Sequence, residues 1–108
     1  MAQIVIVPPS DTVDELQERL RGKEVAGFQL VTLGSGSVDG QPAILATYLR
    51  RSFGDAPPPL ILKDLGTGTL AQQETAVTKG EAEGTLISYA GVFISDQETN
   101  VAVYRQKP

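Results

Sequence analysis

The apolar positions change period several times along the chain, and each change marks an element. Ala2 to Val7 (AQIVIV) is a nearly continuous apolar run, rich in β-branched residues and closed by Pro8-Pro9. That pattern predicts a short buried strand. The next segment, SDTVDELQERLRG, switches to a helical period. Val13, Leu16 and Leu20 fall at i, i+3 and i+7 and make one apolar stripe. Thr12 and Glu15 are spaced as a capping box, with Ser10 or Asp11 as alternative caps, and Gly22 is the expected stop. Asp14 and Glu15 in the first turn and Arg19 and Arg21 in the last suit the helix dipole.

From Val25 to Leu33 the pattern turns β-like, and Gln41 to Arg50 is a second β-like run. Gly34 to Gly40 (GSGSVDG) lies between them and predicts a long hairpin with a mobile tip. Both strands carry apolar residues on both faces: Phe28 and Leu30 against Val31 and Leu33, then Leu45 and Leu49 against Ile44 and Tyr48. Ser52 to Pro59, with three consecutive prolines, reads as an extended connector. Leu60 to Leu62 is a short edge strand. Thr69 to Lys79 reads as a helix with Thr69 as cap and Gly80 as stop, the alternative being a polar β arm. Thr85 to Ile94 is a strand, SDQETN a turn, and Val101 to Arg105 the last strand. No internal repeat is read from the sequence.

This order predicts a single α+β domain over residues 1–108. The expected architecture is a mainly antiparallel sheet of five to six strands with the N-terminal helix on one face. It is either ferredoxin-like with an added strand or a small half-open barrel. One helix cannot cover both faces of such strands, so a homo-oligomer is expected, most simply a dimer.

The chain has no histidine, no cysteine and no tryptophan in 108 residues. This removes the imidazole base, the thiolate nucleophile and the soft metal ligand. No catalytic residue, no metal ligand and no cofactor is therefore assigned. A formal charge of −4 without a Lys/Arg cluster argues against nucleic acid. No run approaches the length of a membrane span, and Ile4 to Val7 is too short for a signal core, so no membrane partner is expected and the location is read as cytoplasmic.

Four motifs remain. Gly34, Gly36 and Gly40 give G-x-G-x-x-x-G after a strand, but a β run follows where a phosphate loop needs a helix. Asp64 to Thr69 (DLGTGT) after a strand resembles the first phosphate motif of the actin-like and sugar-kinase ATPases. That resemblance implies that Asp64 would position a metal-bound water and that the Gly66-Thr67 backbone would approach phosphate. It covers six residues, and that family needs two large lobes which this chain cannot supply. Gly66 and Gly68 read more simply as turn residues. Asp11, Asp14, Glu15, Glu18, Glu81 and Glu83 all sit in polar contexts, without the burial that a general acid or base needs. Finally, Arg50-Arg51, near Phe53 and Asp55, and Arg105 are strand-end cations. With Tyr48 they are the candidate ligand-binding residues, suited to a small anionic ligand through the planar arginine fork. The expected function is a non-enzymatic binding or assembly module acting as a homo-oligomer. The alternative is a small dimeric α/β-barrel enzyme that handles an organic acid with Arg, Tyr and carboxylates.

Overall fold

The protein is described by a computed structural model over residues 1–51 and 56–107, so Phe53 and Asp55 and the first half of the Ser52–Pro59 connector lie outside the described residues. The chain runs β1 (Ala2–Val7), α1 (Val13–Val25), β2 (Phe28–Val38), β3 (Gln41–Arg50), β4 (Leu60–Gly66), α2 (Leu70–Gly80), β5 (Gly84–Ile94) and β6 (Gln97–Gln106). It is α+β with two helices, and its six strands form two three-stranded antiparallel sheets, β1-β3-β2 and β4-β6-β5. The expected single sheet of five to six strands is therefore corrected. The strands that would join the sheets are β2 and β5. There, the Ser88 hydroxyl accepts from the Leu33 N–H and donates to the Leu33 carbonyl, both at 3.2 Å. A buried side chain thus satisfies groups that a main-chain ladder would otherwise have used.

The two halves share one plan. Each is β-α-β-β, each sheet places the third strand of its unit in the middle, and each has a register shift at the same place, Leu30/Thr32 and Leu86/Ser88. Leu30 pairs with Tyr48 as Leu86 pairs with Tyr104. The repeat is not visible as sequence similarity because few equivalent positions of the β2–β3 and β5–β6 hairpins keep the same residue: Leu30/Leu86, Gln41/Gln97, Ala46/Ala102 and Tyr48/Tyr104.

Other expectations shift with their causes visible. The helix does not stop at Gly22. It continues to Val25, and Gly27 supplies the left-handed residue at φ 105°. The capping expectation is met in part: Thr12 accepts from the Glu15 N–H, while the Glu15 carboxylate accepts from Asp11 N–H instead of closing the box. The long mobile tip is corrected too. Gly34 to Val38 belong to β2, and the turn is only Asp39-Gly40, with φ 52° and 78°. Two residues at positive φ fit the type I′ turn that matches strand twist. Ser95-Asp96 repeats this, with φ 52° and 62°, so Gln97 to Asn100 are strand rather than turn. In β2 the bulge at Val31 puts Leu30 and Leu33 on the same, buried side, not on opposite faces. Residues 70–80 are helical, held by a complete Thr69–Gln72 capping box.

The core lies between the sheets. Val7, Leu30, Leu33, Ile44, Ala46 and Tyr48 come from the first, Leu60, Leu62, Val92, Val101 and Val103 from the second, and Leu16 and Leu20 from α1. The other face of the second sheet is covered by α2. Tyr104 is fully buried there, and its hydroxyl donates to the Val77 carbonyl at 2.8 Å. A Cβ on Gly80, at the end of α2, would overlap the Tyr104 phenol. Gly80→Ala is therefore expected to destabilise by about 1–3 kcal/mol, although alanine is the better helix former. An unchanged or raised urea midpoint would show that the ring can move aside. The other face of the first sheet, carrying Ile4, Ile6, Leu45 and Leu49, has no element over it among the described residues; Ile4 is 68% and Ile6 56% exposed.

Candidate functional site

Two places gather the residues that chemistry or recognition could use. The first lies where α1 ends. Leu16, Leu20 and Glu24 follow one another at i+4 on the buried stripe of α1, so the helix carries a carboxylate into the interior. Arg105, near the end of β6, meets it with both nitrogens, Nη1 to Oε1 at 2.9 Å and Nη2 to Oε2 at 2.7 Å. The Leu30 N–H also donates to Oε2 at 2.9 Å, and Arg105 Nη1 donates to the Pro58 carbonyl at 2.7 Å. Arg51 Nη2 donates to the Glu24 carbonyl at 2.9 Å, while its Nη1 is buried with no hydrogen-bond partner among the described residues. Tyr48 is buried beneath this cluster. Desolvation, with the Glu24 charge adding to it, pushes its hydroxyl pKa up to about 12.

Of the predicted ligand-binding residues, the structure thus brings Arg51, Arg105 and Tyr48 to one end of the core. Arg50 is exposed and pairs with Phe28 at the sheet margin. Sequence reasoning missed Glu24, which satisfies Arg105 from within the chain. Its signal was available: an acid continuing the Leu16–Leu20 stripe must be buried, and a buried carboxylate needs a partner. Chemically the cluster is a clamp, joining the helix of the first unit to the last strand of the second. Tyr48 and Tyr104 serve different layers. Tyr48 faces the shared core and Tyr104 lies under α2, so the two phenols do not line one site.

The second place is β1. In an antiparallel ladder alternate residues direct both N–H and C=O to the neighbour. The Arg50 N–H donates to the Met1 carbonyl at 3.2 Å, which sets the phase: Gln3, Val5 and Val7 face β3 while Ala2, Ile4 and Ile6 point theirs to the free edge. No hydrogen bond from another described residue reaches those groups. The equivalent edge of the second unit is β4. There the Gln106 N–H donates to the Pro59 carbonyl, so Leu60 and Leu62 point outward. Both are answered by α1: Arg21 Nε donates to the Leu60 carbonyl at 2.8 Å, and Gln17 Oε1 accepts from the Leu62 N–H at 3.0 Å.

The other motifs are absorbed by the fold. Asp64 Oδ1 accepts from the Gly66 N–H at 2.8 Å and from the Thr99 hydroxyl at 2.6 Å. With Gly66 at φ 61°, it shapes the turn into α2. Gly34 and Gly36 lie in a strand. Glu18 pairs loosely with Arg21, and Glu83 with Lys63, both on the surface. Among the described residues no three of His, Cys, Asp or Glu gather as a metal site. Among the described residues no helix is long and apolar enough to cross a membrane. A cleft of about 660 Å³ opens beside Ile6, Pro9, Pro42 and Phe93, with Asp11 and Asp96 among its few polar groups. No protein-family model, curated protein or solved structure matches the chain.

Proposed function

We propose that the chain is a non-enzymatic binding or assembly module of the cytoplasm that works as a homo-oligomer, most simply a dimer. The observation that carries this reading is the β1 edge together with the apolar face it shares with β3. Ile4, Ile6 and Leu49 are 68%, 56% and 48% exposed on one contiguous sheet surface, and nothing else among the described residues covers them. Scattered exposed apolar residues are ordinary, but a contiguous sheet face with an unpaired edge is a mark of an interface. The non-enzymatic part of the reading is supported by the absence of histidine and cysteine and by the pairing of Arg105 inside the chain.

Light scattering at micromolar concentration tests the reading. The expected mass is that of two or more chains. A mass near the 11.5 kDa of a single chain would overturn it.

A further inference from the structure

We infer that two copies join edge to edge through β1, antiparallel and about a two-fold axis at Ile4, giving a six-stranded sheet continuous across the pair. The inference rests on the homo-oligomer reading above and names the strand, register and partner. Three observations carry it.

The first is the contrast between equivalent edges. The repeat presents the same outward-pointing edge twice. On β4 the Leu60 carbonyl and the Leu62 N–H are met by Arg21 and Gln17 of α1, and on β1 no side chain among the described residues meets the outward groups. Unmet strand-edge groups are a template for another strand.

The second is composition. β4 carries Lys63, Asp64 and an irregular register between Asp64 and Gly66, the devices that protect an edge. Ala2 to Val7 has no charged residue, no proline and no bulge. Pro8, which cannot donate, stands just beyond its end.

The third is self-complementarity. The outward set is Ala2, Ile4 and Ile6, symmetric about Ile4. An antiparallel copy on a two-fold at Ile4 pairs Ile4 with the partner copy's equivalent residue and Ala2 with the equivalent of Ile6, so every outward N–H and C=O finds a mate. A two-fold interface must be self-complementary in this way. The same register sets the exposed Ile4 side chains side by side on the outer face, where directly opposed apolar pairs stabilise a sheet. An uncharged edge offers nothing that would select a different, charged partner.

Amide hydrogen exchange read by NMR, at a concentration where light scattering shows the dimer, tests this directly. Gln3 and Val5 donate to β3 and should be protected in any folded state. Ile4 and Ile6 should be protected to a similar degree in the dimer and lose that protection on dilution. A dimer in which Ile4 and Ile6 exchange freely while Gln3 and Val5 do not overturns the β1 pairing and leaves the homo-oligomer reading standing. A chain that stays monomeric overturns both. As a second measurement, Ile4→Lys puts like charges opposite each other across the axis, at an exposed position the fold does not need. It should weaken dimerisation at least about tenfold with the urea midpoint of the monomer unchanged; unchanged dimer affinity would also overturn the proposal.

Discussion

Glu24→Ala is expected to lower the unfolding free energy by about 3–5 kcal/mol, the cost of removing one member of a buried ion pair. The side chains of Glu24 and Arg105 are only 8% and 13% exposed, so solvent does little to replace the lost partner. The truncation strands the Arg105 guanidinium and the Leu30 N–H together. Because the clamp ties α1 of the first unit to β6 of the second, its loss acts on the packing of the two halves and not on a local turn. Urea melts of the single variants and of Glu24→Ala with Arg105→Met separate the pair from its surroundings. The double variant should be less destabilised than the sum of the two singles, since it leaves no buried charge unpaired. A loss under about 1 kcal/mol for Glu24→Ala would mean that water replaces the carboxylate and that the clamp is not buried in solution.

Leu16→Ala should cost about 2–5 kcal/mol. Leu16 is 0% exposed and lies in the core where α1 meets both sheets, a place hemmed in on each side and poorly able to collapse around a cavity. Glu18→Ala, two positions on, should change stability by under about 0.5 kcal/mol. Its side chain is 70% exposed, and its 3.6 Å contact with Arg21 is a surface pair. Equal effects in urea melts would place α1 in a different rotation about its axis.

The elements were largely legible in the residues. β1 and β3 match the expected spans, and the Val13–Leu16–Leu20 stripe faces the core as its period requires. The helical reading of residues 69–79 succeeded because Thr69 and Gln72 form a local cap, a feature of a few neighbouring residues. The errors cluster where a distant contact overrode a local signal. Gly22 looked like a helix stop, yet α1 continues through it to deliver Glu24 to Arg105, which lies 81 residues away in sequence. The glycines between Leu33 and Val38 looked like a loop, yet the ladder with β3 holds them extended to a two-residue turn. The bulges at Val31 and Ile87 changed which side chains face inward, and no local pattern announces a bulge.

For the candidate sites the division is sharper. The strand-end arginines and the absence of imidazole and thiol are properties of composition and order, and a one-dimensional reading suffices for them. Whether Arg51 and Arg105 reach the same residue depends on strand order, and the charge balance of Arg105 depends on a helix from the other half of the chain. Likewise the apolar character of Ala2 to Val7 is written in the residues themselves. That β4 is covered by α1 while β1 is left open follows only from how the two units stack. One helix can lie against one edge, so packing α1 against β4 meets the Leu60 carbonyl and the Leu62 N–H and leaves Ala2, Ile4 and Ile6 facing outward. Residue type and period determined the elements and the chemistry this chain lacks; tertiary packing alone decided which edge and which face remain to be filled, because those depend on contacts between segments that the chain order keeps far apart.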